Sequence, residues 1–325
     1  MSQPSSRHLV APELLAGLDF FPRVDFSEGV GPWRANLFER PPLPPHLAEV
    51  SLEERSVPGA PGAPDVRVLV YAPPGPVKAG RPAMLDIHGG GYVIGSADMS
   101  DAANRALALS HDCVVVSVDY RLAPETAWPG ALEDCYAALC WLHDQADALG
   151  VDRARIAVGG SSAGGGHAAA LAIHARNRAR IDPAAPMPCF QLLDIPMLDD
   201  RTGTSGDPHP YCGEFTWTAE HNRFGWGALL GMAPGGPDVP EAAVPARVQD
   251  LTGLPPAFIL IGGLDLFLEE SLEYARRLSR AGVPVELHVI PGGYHGFGLM
   301  QDAPQSRQSA ALRDAALARA FGIGL

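Results

Sequence analysis

From about residue 66 onward, short runs rich in Val, Ile, Leu and Phe alternate with stretches patterned for helices. No other feature constrains the fold as strongly, because strands joined by helical crossovers pair in parallel and need cover on both faces of the sheet. The strand candidates are Val66–Ala72, Ala83–His88, Cys113–Tyr120, Arg155–Gly159, Phe190–Ile195, Ala257–Ile261 and Val285–Ile290. Between them the pattern predicts helices over Ala102–Ser110, Ala131–Leu149, Gly164–Arg178, Glu269–Ala281 and Gln305–Ala320. The fold class is α/β, with a mostly parallel central sheet flanked by helices.

Two regions break the rhythm. Residues 1–47 carry Phe20, Phe21, Phe26, Trp33 and Phe38 and end in the stiff run Pro41-Pro42-Leu43-Pro44-Pro45. Residues from about 199 to 235 hold Phe215, Trp217, Phe224 and Trp226, the last two read as spaced for one helix face. Aromatic stripes ordinarily pack into a core; the competing reading makes both segments a lid. The expected organisation is therefore an N-terminal cap segment at 1–47 and a catalytic domain at 48–325 with a cap insertion at about 199–235.

The chain has 325 residues, 46% hydrophobic and 19% charged, which excludes a disordered chain and supplies ample core. Its formal net charge is −13 and Lys78 is its one lysine, which argues against a nucleic-acid partner. No charged n-region precedes an apolar stretch at the start, and no run approaches the ~18 apolar residues of a membrane span. A cytoplasmic protein is expected on that basis. Cys113, Cys135, Cys140, Cys189 and Cys212 are odd in number and form no CxxC pair, so they read as small buried residues rather than disulfides or zinc ligands.

The sharpest local signal is Gly160-Ser161-Ser162-Ala163-Gly164, between the strand Arg155-Ile156-Ala157-Val158 and a small-residue helix. A G-x-S-x-G turn forces its serine onto a strained strand-to-helix corner at the carboxyl end of the sheet, while glycines let neighbouring backbone pass closely. The nucleotide-binding readings of a glycine-rich loop fail: no Lys follows the second glycine, and no G-x-G-x-x-G register fits. A second signal, His88-Gly89-Gly90-Gly91, follows Met84-Leu85-Asp86-Ile87. Acyl transfer builds negative charge on oxygen, and backbone N–H groups aimed there stabilise it. Gly90 and Gly91 are the expected donors, joined by Ala163, which follows the serine at a helix N-terminus. His88 could equally do no more than bond backbone, and no H-E-x-x-H pattern gives it metal partners.

A serine nucleophile needs a base, and the base an orienting carboxylate. Of eleven histidines, His295 lies in the loop Pro291-Gly292-Gly293-Tyr294-His295-Gly296-Phe297 directly after the last strand, where it faces the same end of the sheet as Ser162. Asp265 is the first carboxylate after Phe258-Ile259-Leu260-Ile261-Gly262-Gly263. Glu269 and Glu270 read as first-turn helix charges, and Asp194, Asp199 and Asp200 as weaker alternatives for the acid.

With these pieces placed, the chain resembles bacterial members of the hormone-sensitive-lipase family of α/β-hydrolases. The resemblance rests on His88-Gly89-Gly90-Gly91, Asp119-Tyr120-Arg121-Leu122-Ala123-Pro124-Glu125, Gly160-Ser161-Ser162-Ala163-Gly164-Gly165, Asp265 and His295-Gly296-Phe297, spanning residues 88–297. It implies an α/β-hydrolase fold with a helical cap, carboxylic-ester hydrolysis, and neither cofactor nor metal. The cap would combine the N-terminus with an insertion before the last strands. The family often places Asp where this chain has Ser161 and Pro where it has Leu266. For Asp119–Glu125 the resemblance implies support beneath the oxyanion loop, with Glu125 as a partner behind the reacting groups. The expected activity is that of a serine carboxylesterase acting on small to medium acyl esters, with Ser162, Asp265 and His295 as catalytic residues. A small-molecule ester is the expected partner, and a homodimer is left open. Two alternatives stand beside it: an amidase or peptidase on the same fold, and a non-enzymatic ligand receptor, against which the presence of His295 argues.

Overall fold

The computed structural model describes residues 5–20, 25–35 and 43–323. Phe21, Phe38, Pro41 and Pro42, together with the side chain of Phe20, lie outside the described residues. Among the described residues eight strands form one sheet: β1 (Ser51–Val57), β2 (Val66–Ala72), β3 (Arg81–Ile87), β4 (Val114–Asp119), β5 (Val151–Ser161), β6 (Phe190–Asp194), β7 (Ala257–Gly262) and β8 (Val285–Ile290). Their spatial order is β1-β2-β4-β3-β5-β6-β7-β8. β2 runs antiparallel to β1 and β4; every other pairing is parallel.

The helices are α1 (Gly17–Phe20), α2 (Gly31–Ala35), α3 (Asp101–Ser110), α4 (Gly130–Asp144), α5 (Ala146–Leu149), α6 (Ala163–Ile181), α7 (Ala219–Leu230), α8 (Leu268–Arg280) and α9 (Pro304–Ala320). The helix expected over Ala131–Leu149 breaks at Gln145 into α4 and α5. The seven anticipated strands are all present, but β1 is additional. Its sequence, SLEERSV, has no apolar alternation because it is an edge strand whose charged side chains face water.

Covered on both sides, the central strands read as continuous apolar runs, and their side-chain alternation feeds two cores. Val68, Val70, Leu85, Ile87, Val116 and Val118 pack with α4, α6 and α8. Leu69, Tyr71, Met84, Val115, Phe258 and Leu260 face the other way and pack with Val10 and Leu14 of the N-terminal segment and Leu317 of α9.

A third apolar cluster gathers Phe26 from the N-terminal segment, Tyr92 and Val93 after β3, Ile195 and Met197 after β6, and Trp217, Trp226 and Leu229 from the region around α7. Phe224 and Trp226 do not share a helix face. Residues two positions apart on an α-helix point about 200° from each other. Phe224 accordingly stacks on Phe26 with ring centroids 4.5 Å apart, whereas Trp226 is buried against Tyr92 at 5.0 Å.

Candidate active site

Parallel pairing of β3, β5, β6, β7 and β8 sends their carboxyl ends to one side of the sheet, and the loops leaving β3, β5, β7 and β8 on that side deliver the parts of the site. Ser162 is the single residue between β5 and α6 and has φ 58° and ψ −121°, a left-handed conformation that costs on the order of 1–3 kcal/mol for a non-glycine residue. Backbone contacts hold it there. Its N–H donates to the Asp194 carbonyl at 2.9 Å, and its own carbonyl accepts from Met197 N–H at 3.0 Å and Gly166 N–H at 3.1 Å. Gly164 is required by close approach: a Cβ there would lie 1.9 Å from the Ile87 carbonyl oxygen of β3.

Ser162 Oγ lies 3.0 Å from His295 Nε2. His295 Nδ1 lies 2.8 Å from Asp265 Oδ2. The Asp265 side chain is fully buried, and its second oxygen accepts from Phe267 N–H at 3.0 Å. A buried carboxylate is an acceptor, so Nδ1 carries the proton and the Nε2 lone pair faces the hydroxyl. Phe267 meets the imidazole edge-on at 5.1 Å, and Trp217 lies across it at 6.4 Å.

Gly90 and Gly91 take φ +121° and +59° in a tight turn after β3, where Val93 N–H and Ile94 N–H both donate to the Gly90 carbonyl. A Cβ on Gly91 would meet the Trp217 ring at 2.1 Å, so the indole lies directly on this loop. Ala163 opens α6, which makes its N–H one of the first-turn donors without an intrahelical partner. The structure thus brings Ser162, His295 and Asp265 into one hydrogen-bonded chain and places the Gly90–Gly91 turn beside it.

The remaining carboxylates are engaged elsewhere. Asp194 pairs with Arg313 at 2.6 Å, Asp199 with Arg201 at 2.7 Å and Asp200 with Arg247 at 2.6 Å. Glu270 is buried and accepts from Leu198 N–H at 2.6 Å; burial raises its carboxyl well above the usual range. Glu269 is exposed. Cys113, Cys135 and Cys212 are buried, and Cys140 and Cys189 partly so. The Cys212 thiol, which donates to the Gly263 carbonyl at 3.5 Å, is pushed up to about 12 by burial and is no rival nucleophile at neutral pH. A surface groove of about 580 Å³ runs between Arg55 of the β1 edge and Trp141 of α4, but it holds none of these groups.

A family model described as alpha/beta hydrolase fold matches residues 84–299. The chain belongs to the α/β-hydrolases. It is similar to the carboxylesterase NlhH of Mycobacterium tuberculosis, at 38% identity over 91% of this chain and 92% of that protein. The esterase LipI of the same organism is 35% identical over 89% of this chain and 88% of its own length. Among solved structures, a bacterial heroin esterase superposes with a TM-score of 0.86 at 38% identity, covering 97% of this chain and 99% of the other. These relatives place this α/β-hydrolase in the hormone-sensitive-lipase-like family that its motifs resemble.

Beside the Gly90–Gly91 turn of this hydrolase lies a buried aromatic stack in which Tyr120, from the Asp119–Glu125 run, meets His88 and His167. His88 stacks on Tyr120 at 4.2 Å, its Nδ1 bonds the Gly89 carbonyl at 2.8 Å, and the Tyr120 hydroxyl donates to the His88 carbonyl at 2.9 Å. His167 of α6 packs edge-on against Tyr120 at 4.8 Å and against Tyr92 at 4.7 Å. Burial lowers His88 to about 4 and His167 to about 3, so both stay neutral at pH 7. Below the unfolded-state value of 6.5 the unfolded chain binds protons that the folded chain refuses. Their stabilising contribution is therefore complete above pH 6.5 and is lost as pH falls toward 4, by up to about 1.4 kcal/mol per pH unit for each histidine. Comparing urea unfolding at pH 7 and pH 5, His167→Phe should lose roughly 2 kcal/mol less than the unmodified protein. Glu270 titrates with the opposite sign in both proteins and cancels in the comparison. Equal losses in the two proteins would contradict this account.

Proposed function

We propose that this chain is a serine carboxylesterase in which Ser162, His295 and Asp265 carry the chemistry. The carrying observation is the continuous relay from Asp265 through His295 to Ser162, at 2.8 and 3.0 Å, on a nucleophile held in a strained corner. Ser162 Oγ attacks the ester carbonyl as His295 Nε2 takes its proton, while Asp265 holds the imidazole tautomer and balances the imidazolium. Gly90, Gly91 and Ala163 N–H groups receive the oxyanion. Collapse of the tetrahedral adduct breaks the bond to the alcohol, which leaves with the proton from His295. Water then attacks the acyl-enzyme, again giving its proton to His295, and the carboxylic acid departs with Ser162 restored. Relatives named as carboxylesterase and esterase support the ester class. Rates on p-nitrophenyl acetate, butyrate and hexanoate against a matched anilide test it: ester turnover far above anilide turnover is expected, and a preference for the anilide would overturn the ester reading.

Residues 1–47 and the insertion at about 199–235 form the cap in this reading, and a small to medium acyl chain lies beneath it. Phe26 packs on Phe224 and meets Trp217 at 6.3 Å, which joins the N-terminal segment to the insertion above Gly91 and His295. Deleting residues 1–40 should therefore lower kcat/KM more for hexanoate than for acetate. Two methylenes losing a roof would give about 1.6 kcal/mol, or roughly fifteen-fold in the hexanoate-to-acetate ratio. An unchanged ratio, in protein that circular dichroism shows folded, would remove the lid role from this segment.

A further inference from the structure

One motif has no part in the chemistry above, and the structure gives it a partner. Glu125, at the end of the Asp119–Glu125 run, accepts both arms of the Arg34 guanidinium: Nη1 to Oε1 and Nη2 to Oε2, each at 2.9 Å. Arg34 lies on α2 of the N-terminal segment. Its Nε donates to the Val93 carbonyl at 2.7 Å, and its Nη2 also donates to the Ala123 carbonyl at 2.7 Å. Both carbonyls belong to buried residues of the loops around the oxyanion turn. Val93 closes that turn through its N–H to the Gly90 carbonyl, and Ala123 N–H donates to the Tyr92 carbonyl at 3.0 Å. One side chain from the cap thus uses four donor hydrogens to fasten two loops.

We infer that Arg34 is a positioning residue that couples seating of the N-terminal cap to the geometry of the Gly90–Gly91 oxyanion donors. As an exposed ion pair the Arg34–Glu125 contact would count for little, since Glu125 is 62% exposed. The two carbonyl bonds give it consequence. Gly90 and Gly91 both have positive φ and no side chains to fix them, so the direction of their N–H groups depends on what holds the Gly90–Ile94 turn. A planar guanidinium can serve two carbonyls and a carboxylate at once, whereas a lysine ammonium presents its donors from a single point and cannot span them. Glu125 sets the plane of that fork. The same α2 carries Trp33, whose ring meets Phe26 at 6.5 Å, so movement of the cap aromatics reaches the oxyanion turn through this five-residue helix.

This inference rests on the ester-hydrolase reading, and the test separates the two. The measurement is kcat and KM for p-nitrophenyl acetate, with kcat expressed per active site titrated by a fluorophosphonate, in unmodified protein, Arg34→Lys, Arg34→Ala and Glu125→Gln. Both Arg34 substitutions should lower kcat per titrated site at least about ten-fold, a fraction of the ~10²–10³ lost with a whole oxyanion donor. KM should stay within about two-fold, since Arg34 acts through the Val93 and Ala123 carbonyls rather than on the ester. Glu125→Gln should fall between them and the unmodified protein. Millimolar guanidinium should restore part of the rate to Arg34→Ala and none to the unmodified enzyme. A purely structural role would lower the number of titratable sites and leave kcat per site alone; that result in Arg34→Lys overturns the inference, including where Arg34→Ala does not fold. An unmodified protein that labels but does not turn over the ester overturns the ester reading itself.

Discussion

Ser162→Ala should remove ester hydrolysis almost completely while leaving the fold intact. The expected loss in kcat is on the order of 10⁶, the scale seen when the nucleophile of a serine protease triad is removed, with the residue supplied by the oxyanion donors and binding alone. Stability should barely change. The interactions that keep Ser162 at φ 58° run through its backbone, from its N–H to the Asp194 carbonyl and from Met197 and Gly166 N–H to its own carbonyl. None uses Oγ, whose hydrogen-bond partner is His295. Alanine inherits the same strain and the same bonds. A folded Ser162→Ala protein keeping more than a few per cent of the original kcat would sink the nucleophile assignment.

The second large effect is expected at Asp265. Asp265→Asn should lower kcat by ~10⁴, the loss found in a protease triad when an amide lets the imidazole adopt the wrong tautomer. The reason lies in the burial of both partners. Asp265 is wholly buried and His295 nearly so, so an amide NH₂ turned toward Nδ1 would move the imidazole proton to Nε2, the atom that must accept from Ser162. The Phe267 N–H bond to Oδ1 can persist with the asparagine carbonyl, which keeps the loop in place. Asp194→Asn and Glu269→Gln should do far less, because Asp194 is occupied by Arg313 and Glu269 points to solvent. If Glu269→Gln were the damaging change, the acid is misassigned.

What sequence reveals here follows from how local the physics is. β2, β3, β4 and β7 are legible because burial on two faces demands apolar runs; β8, at the far edge, is legible from its alternating Val285, Leu287 and Val289, and β1 is not, because its Glu53, Glu54 and Arg55 carry no such pattern. Ser162 and the glycines around it are legible because a sharp corner between strand and helix restricts which residues fit. His295 and Asp265 come from chain order after strands, which fixes the end of the sheet they occupy. Arg34 gives no signal at all: it is one of 23 arginines by count of 24 basic residues less Lys78, and its partners Val93, Ala123 and Glu125 lie about 60 to 90 positions away. Trp217 is visible as an aromatic, but its seat on Gly91 depends on how the insertion folds back over the sheet. Contacts between segments remote in sequence are set by packing, and packing leaves no periodic trace.

The central claim is that Ser162 is the nucleophile, and labelling with a fluorophosphonate followed by peptide mapping tests it most directly. The reagent needs an activated hydroxyl, not merely an exposed one, so it reads the relay through His295 and Asp265 as well as the serine. The account predicts one adduct per chain, on Ser162, forming in step with loss of esterase activity and absent from Ser162→Ala. An adduct on Ser161 or Cys212, or full modification of Ser162 with activity retained, would contradict it.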